Sequence, residues 1–131
     1  MDTKRRSVRG ERGQTMTEFA VILPILLMLI LGIAQLGIAF NNYLSLTDAV
    51  RAGARYGGVS RTSATPSADT IAKVKQSGAN LNQTNLAVTV ASTWQPGADL
   101  TVCATYPYSI NLIGLVVKSG NLNSCTTNRV E

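Results

Sequence analysis

The chain divides into one long apolar run and a later region in which apolar and polar residues alternate. Residues 19–40 contain no charged residue, and at about 1.5 Å per residue a helix of this segment extends roughly 33 Å. That length crosses the hydrocarbon core of a bilayer, which is about 30 Å thick. A secretory signal peptide is the alternative, but its apolar region is usually about 7 to 15 residues long, and no convincing small-x-small cleavage site follows here. The pattern therefore predicts a retained transmembrane helix.

The helix predicted for the membrane continues beyond it. Residues 41–56 keep a helical period, because apolar and small positions recur at three- and four-residue steps. The face that these positions form consists of Leu46, Ala49, Val50, Gly53 and Tyr56. Gly57 and Gly58 then predict the end of the helix.

A second, short helix is predicted after a loop at residues 58–67, which is rich in Gly, Ser and Thr. Thr65 or Ser67 is a suitable N-cap, and Pro66 suits the first turn. Gly78 suits the end of this helix.

The remaining residues alternate between apolar and polar positions, which is the period of half-buried strands. The alternation predicts strands over residues 86–94, 100–106 and 121–130. Pro107 is expected to stop the second strand, since proline cannot donate to a ladder.

These elements predict an α+β protein with a long N-terminal transmembrane helix and a small head of a short helix and about three antiparallel strands. We divide the chain into a basic leader at residues 1–13, a membrane and continuing helix at residues 14–57, and a head at residues 58–131. A head of this size is near the limit at which one core is stable without a staple or a partner. A large catalytic domain is therefore excluded.

Positive charge is concentrated in front of the apolar run. Residues 1–13 carry five basic and two acidic side chains, which is +3 of the net +5 and leaves only +2 for the rest. The charge is therefore no nucleic-acid footprint, and no nucleic-acid partner is expected. The basic excess instead predicts a cytoplasmic N-terminus and a single pass through the cytoplasmic membrane, with the head on the extracytoplasmic side.

The composition also argues against catalysis. The chain has no His, the commonest general base and metal ligand. Serine residues are numerous, but no G-x-S-x-G motif and no Gly-rich phosphate loop occurs. The acidic residues outside the leader form no pair close in sequence. We expect no enzymatic activity, no metal site and no cofactor.

The candidate site lies at the start of the apolar run. A basic segment ends at Gly13, four uncharged residues follow, and Glu18 stands directly before the run. A carboxylate at the hydrocarbon boundary is costly unless it has a partner. Cleavage after Gly13 would make Gln14 the new N-terminus and Glu18 the fifth residue. This spacing is the signature of type IV prepilins.

The first 57 residues resemble the TadE-like pseudopilins of tight-adherence pilus systems. The resemblance rests on GERGQTMTEFAVILPILLMLILGIAQLG followed by LSLTDAVRAGARYG, and the closing Arg129, Val130 and Glu131 resemble the usual family ending. It implies that Gly13 is the last leader residue, that Glu18 is the pseudopilin acid, and that residues 50–57 are the helix-end motif. The partners it implies are a prepilin peptidase and other pilins.

Two features inside the span belong to this comparison. Pro24 occupies the early position at which the family has a proline, and it removes a backbone donor and bends the helix. Gln35 departs from the family, because many relatives have Glu there. Two interpretations of Gln35 stay open: an interhelical hydrogen bond, and a glutamine near enough to the interface to be wetted.

The two cysteines lie on the polar faces of their predicted strands. An extracytoplasmic head is in an oxidising compartment, and no other cysteine competes. We predict a disulfide between Cys103 and Cys125; two free thiols are the alternative.

Each of two further surfaces has both a structural and a functional interpretation. Arg51 and Arg55 form a stripe that either binds lipid phosphates or a partner's acids or, more commonly, is a solvated helix face. Trp94, Tyr106 and Tyr108 either form a carbohydrate or peptide platform or pack on a small sheet, and their place in the apolar alternation favours packing.

The function expected is that of a minor pilin or pseudopilin of a tight-adherence pilus, in contact with the lipid membrane and incorporated in a surface pilus. The first alternative is an uncleaved single-pass anchor that presents a small binding domain. A weaker one is an accessory subunit of a membrane enzyme complex, with a partner that contacts Gln35.

Overall fold

The computed structural model describes residues 9–131, with side chains from Gln14 onward. Two helices are followed by three strands along the chain. They are α1 (Arg9–Val59), α2 (Pro66–Ser77), β1 (Ala87–Ala91), β2 (Asp99–Leu112) and β3 (Leu115–Arg129). The predicted α+β class is confirmed. Residues 1–8 of the predicted leader lie outside the described part.

The single helix α1 serves two different environments. It runs for 51 residues through Pro24 without a break, and the part from Gln14 to Val59 is long and apolar enough to cross a membrane. Its apolar run is exposed, whereas Leu46, Ala49 and Val50 are fully buried. The last turns of α1 therefore belong to the core of the head.

The core of the head lies where α1, α2 and the sheet meet. Its buried apolar side chains are Leu46, Ala49, Val50, Ala54, Val74, Leu81, Leu86, Leu100, Val102, Ala104 and Val130. The end of the chain is fastened to α1, because the Glu131 N–H donates to the Gly58 carbonyl over 2.8 Å and Asn128 Nδ2 donates to the Ala54 carbonyl over 3.2 Å. The helix and the far strand therefore form one folded unit.

Small residues on α1 allow α2 and the sheet to approach it closely. A Cβ placed on Gly53 would overlap the Val74 side chain, and one on Gly57 would lie 2.8 Å from Thr70 Oγ1. No described atom lies within 4 Å of the corresponding position at Gly37 in the apolar run. Gly53 and Gly57 are therefore packing positions.

The sheet is antiparallel with the order β1-β2-β3. Val88 pairs with Ala104, and Val102 pairs with Thr126, so one face carries the apolar positions that the alternation predicts. Val102 and Ala104 are buried on that face, whereas Cys103 between them is only half-buried. The alternation at the centre of the sheet is confirmed.

The prediction that Pro107 stops β2 is wrong. Cys103 and Cys125 are register partners with their Cα atoms 4.1 Å apart, the spacing of a non-hydrogen-bonded pair. Along an antiparallel ladder, non-hydrogen-bonded pairs alternate with hydrogen-bonded pairs, and Pro107 lies an even number of residues after Cys103. Pro107 and Asn121 therefore also form a non-hydrogen-bonded pair, in which the Pro107 nitrogen faces away from β3. On that side β1 has already ended, since its pairing with β2 reaches no further than Thr105. Proline is tolerated where no ladder bond is required.

Because β2 continues past Pro107, β3 begins at Leu115 rather than at Asn121. The two strands extend beyond β1 as a hairpin, residues 107–121, which we call the arm. Its turn consists of Ile113 (φ 50°) and Gly114 (φ 81°), and positive φ at both central residues is the hairpin geometry that matches strand twist. An isoleucine is rare at such a position, so the usual sequence pattern of a two-residue turn is absent in this region.

Smaller boundaries also differ from the sequence predictions. Helix α1 ends at Val59, two residues beyond Gly57, and Tyr56 lies exposed beside the buried face instead of on it. Strand β1 is shorter than predicted and ends at Ala91, and Trp94 beyond it has φ 54°. A residue in that conformation cannot continue a strand.

The short helix α2 is confirmed, including its first residue Pro66 and its cap Gly78. Thr65 occupies the N-cap position but makes no side-chain cap bond. Its hydroxyl instead donates to Asp69 Oδ1, and Ser63 donates to the other oxygen of the same carboxylate. Asp69 thus ties the preceding loop to the first turn, where an acidic side chain is favourable.

Replacing Gly53 by Leu will destabilise the head, because the new side chain must displace Val74 and α2. Overpacking of this kind costs about 1 to 3 kcal/mol. The free energy of unfolding, measured in urea by the fluorescence of the core-packed Trp94, is the readout. Gly37→Leu is the matched control in open space and should leave it unchanged. Equal values for the two variants would contradict the packing role of Gly53.

Candidate functional site

The site predicted at the start of the apolar run lies on α1. Gln14 and Glu18 are one helical turn apart, and Gln14 Nε2 donates to Glu18 Oε1 over 3.4 Å. Both side chains are exposed. From residue 19 to residue 47 the chain carries no further charge. Glu18 is therefore an exposed carboxylate on the first turn of an apolar surface, and among the described side chains it accepts a long hydrogen bond from Gln14.

The backbone of Gly13 continues α1, which begins at Arg9; its surroundings lie outside the described side chains. The bond between Gly13 and Gln14 is therefore helical. Glycine destabilises a helix interior by about 1 kcal/mol relative to alanine, so Gly13 weakens α1 beside this bond. A protease that requires an extended substrate would therefore unwind the helix at lower cost here than beside an alanine.

Gln35 lies on the side of α1 that the arm covers. Half-buried or buried positions recur along the helix at three- and four-residue steps, and they are Gly32, Gln35, Ala39, Asn42, Leu46 and Ala49. The stripe is small or polar where it runs beside the arm and apolar where it enters the core. Gln35 is half-buried on this stripe, between Gly32 and Ala39, which line the grooves beside the arm.

The arm lies along the outer half of the apolar run. Ile110 and Leu112 line a groove together with α1 residues, which are Ile25, Met28, Leu29, Gly32, Ile33 and Leu36. A second groove joins Tyr108, Ile110, Lys118 and Leu122 to Leu36, Ala39, Phe40 and Tyr43. The arm therefore descends from the head to the middle of the segment that is long enough to span a bilayer.

The tip of the arm is apolar and exposed. Its uncovered large side chains are Ile113, Leu115, Val116 and Val117. Burying each of them in an apolar phase returns about 1.5 to 3 kcal/mol. Both edges of the arm lack a strand partner within the described sheet, and each unpaired backbone group in hydrocarbon costs several kcal/mol. The free-energy cost of the unpaired backbone groups exceeds the gain from burying these side chains, so an arm with open edges is disfavoured inside a bilayer.

The two arginines on α1 face polar groups of β3. Arg51 and Arg55 line a shallow groove with Thr126, Thr127 and Asn128. At about 1.5 Å per residue, Arg51 stands roughly 16 Å beyond Phe40 at the end of the apolar run. That height lies beyond the lipid phosphates of a bilayer in which the run is inserted. A partner's acidic groups remain compatible with this position, as does a solvated face.

The aromatic residues favour packing over a ligand platform. Trp94 and Tyr106 pack against the core, and the Asn82 N–H donates to Tyr106 Oη over 3.4 Å. The Tyr108 ring lies over Gly120 on the neighbouring strand, 3.0 Å from where a Cβ would be. Their rings are thus engaged with their own chain. Among residues with described side chains, no group of three metal-ligating residues occurs.

The sequence comparison assigns the helix and leaves the head unassigned. Residues 13–55 match the model of a family described as TadE-like protein. This segment is TadE-like. Searches of curated proteins and of solved structures gave no match.

The TadE-like segment contains every candidate residue of the membrane helix. Gly13, Glu18, Pro24 and Gln35 all fall inside it, and it ends at the last turns of α1. The sheet, the disulfide and the arm follow it. The resemblance noted in the sequence is confirmed over this segment, and together with the apolar helix it fits a membrane anchor.

The head beyond the TadE-like segment is stapled at its centre. Cys103 and Cys125 face each other in the register of β2 and β3 and form a disulfide. The next pair on the same face, Thr101 and Thr127, shares a hydrogen bond of 3.1 Å between its hydroxyls. The predicted pairing is therefore present, on the polar face as expected.

Replacing Cys103 and Cys125 together by Ser will lower the free energy of unfolding of the head by about 3 kcal/mol, since the bond closes a loop between residues 22 apart. Urea unfolding followed by Trp94 fluorescence measures the loss. The double variant Thr101→Ser with Thr127→Ser keeps both hydroxyls on the same face and should change stability by less than about 0.5 kcal/mol. A stability equal to the parent's would show that the disulfide contributes nothing.

Proposed function

We propose that this protein is a minor pilin or pseudopilin that takes part in assembly of a tight-adherence type IV pilus. The observation that carries the proposal is the TadE-like match over residues 13–55, with Glu18 on the first turn of an exposed apolar helix. A helix of this kind requires cover along its whole length. A bilayer covers it before assembly, and neighbouring apolar helices cover it in a filament.

The first step is removal of the leader. A prepilin peptidase cuts after Gly13 on the cytoplasmic side, where the basic residues hold the N-terminus. Helical backbone at this bond must open before cleavage, and glycine lowers the cost of opening. The product begins at Gln14 and carries a free amine one turn from Glu18.

The second step is pairing of that amine with a carboxylate. An unpaired Glu18 in an apolar bundle is costly, whereas a pair between the Glu18 of one subunit and the amine of its neighbour fixes the axial register. Within one chain, the Gln14 side chain already donates to Glu18. That bond leaves carboxylate lone pairs available to a neighbour.

Gln14 also makes the pairing chemically vulnerable. A free N-terminal glutamine can cyclise to pyroglutamate with loss of ammonia, which removes the charged amine. Subunits modified in this way keep Glu18 and lose its partner. The fraction of cyclised chains should therefore be higher in the membrane pool than in pili.

Processing is tested by the intact mass of the protein purified from its native membranes. We expect the mass of residues 14–131, and a further loss of one ammonia reports cyclised Gln14. Gly13→Val should leave the full-length chain, because a branched side chain then precedes the scissile bond. A full-length mass in cells with an active peptidase would instead support an uncleaved anchor that presents a binding head.

The register role is tested by Glu18→Gln and Glu18→Ala. A hydrogen bond to a charged group contributes about 1.5 to 3 kcal/mol, so both variants should lower the share of the protein found in pili more than about tenfold. Immunoblots of sheared pili and of membranes measure that share. Asp48→Asn removes an exposed carboxylate from the head end of the same helix and serves as the matched control. Normal incorporation of the Glu18 variants would refute the role.

A further inference from the structure

The two faces of the arm differ in polarity. Directly opposed residues on neighbouring strands share a face, so Ile110 with Lys118 and Leu112 with Leu115 form the face toward α1. Ser109 pairs with Ser119, and Asn111 pairs with Val116, on the other face. The arm is thus an amphipathic hairpin whose apolar side covers α1.

The membrane and the arm require the same part of α1. The groove with Leu112 begins at Ile25 and reaches Leu36. Of the apolar run, only residues 19–24 lie below this groove, and they form roughly 9 Å of helix. A bilayer core is about 30 Å thick. The helix cannot span a bilayer with the arm closed on it unless the arm enters the hydrocarbon, where its open strand edges are unsatisfied.

Three features of the arm allow it to bend where it leaves the head. β1 no longer supports β2 beyond Thr105. Tyr108 then pairs with Gly120, and the register shifts between Ile110 and Asn111. Glycine and a register irregularity both weaken a ladder and allow the strands to bend. The tip can therefore move while the disulfide-linked part of the sheet stays in place.

We propose that in a bilayer the arm turns away from α1 and lies in the interfacial layer on the head's side, with its apolar face on lipid. The occupant of this face is the membrane surface, for three reasons. The arm is continuous with the membrane helix. Tyr43 and Tyr108 lie together beside Phe40 at the end of the apolar run, at the level where membrane proteins carry aromatic belts. Lys118 on the same face matches the negative charge of lipid headgroups.

In this state the covering of α1 is exchanged rather than lost. Lipid replaces the arm on the outer half of the helix, and the arm's apolar face gains lipid contact at a depth where water still satisfies its backbone. The closed arm belongs to a subunit whose helix has left the hydrocarbon. The inference requires only a membrane-inserted α1 and does not depend on pilus assembly.

Depth-dependent quenching tests the position of the arm. The full protein with Leu115→Trp is placed in phosphatidylcholine and phosphatidylglycerol vesicles whose acyl chains are brominated either near the headgroup or near the bilayer centre. Lipid in the interfacial layer should quench the new tryptophan at least about twofold more strongly with the shallow bromine. The parent protein measures the contribution of Trp94.

Two matched variants locate the face that touches lipid. Ser119→Trp lies on the opposite face of the same strand and should be quenched less than Leu115→Trp. Ala91→Trp at the far end of β1 keeps its distance from the arm and should not be quenched. If Leu115→Trp disturbs the arm, Leu112→Trp on the same face replaces it with the same expectation.

Stronger quenching of Leu115→Trp by the deep bromine would overturn the proposal, because the arm would then remain along α1 inside the hydrocarbon. Absence of quenching by both bromines would overturn it as well, since the arm would then lie in water or under another protein chain. Quenching of Ser119→Trp equal to that of Leu115→Trp would contradict the assignment of the apolar face. A protein whose leader is not cleaved should give the same quenching results, because the proposal does not depend on processing.

Discussion

The dominant constraint on this molecule is that one continuous helix must be covered along its whole length by different partners. Helix α1 runs from Arg9 to Val59, and its apolar run is exposed in the isolated chain. The last turns are covered by α2 and the sheet, which bury Leu46, Val50 and Ala54. Everything before them needs lipid, the arm or another helix. Each special feature of the chain lies at a boundary between two such coverings.

The boundary between helix and head explains why the head is stable at its small size. The core borrows one side of α1, so the helix supplies rigid apolar surface that the 74 residues after Gly57 would otherwise have to provide. Gly53 and Gly57 allow α2 and Leu100 to approach. The disulfide then links β2 and β3 at the centre of the sheet, on the face opposite the core. The head and the last third of α1 are consequently one stability unit.

The sequence predicted the parts of the fold that depend on regular periodicity. An uncharged run of membrane length, the face of α1 from Leu46 to Gly53, the start of α2 at Pro66 with its end at Gly78, and the alternation around Cys103 each follow from local patterns, and the structure has them. The pairing of Cys103 with Cys125 was predictable because each cysteine lies on the polar face of its strand. Gly13 and Glu18 were recognisable because their spacing is itself the signal, although their role in processing and assembly stays a proposal.

The arm was missed because its local signals contradict its structure. Pro107 ordinarily ends a strand, and here it is tolerated only because β1 stops short of it, which is a fact of tertiary pairing. The turn has Ile113 at positive φ where Gly or Asn is usual. The tip residues 113–117 alternate poorly, since a register shift interrupts the ladder. A proline, an atypical turn and a broken alternation together hid a hairpin that only the packing against α1 makes evident.

The same packing changes how the polar positions of the membrane helix are understood. Gln35 and Asn42 lie on the stripe that faces the arm, between Gly32 and Leu46. A polar residue on a lipid-facing helix surface is energetically costly. On a stripe that lipid and the arm cover in turn, the same residue weakens the binding of both, so that neither covering is permanent. An all-leucine stripe would bind an apolar hairpin more tightly and would also favour lipid more strongly. Small and polar residues at these positions lower the affinity for both, which is what an exchange of coverings requires.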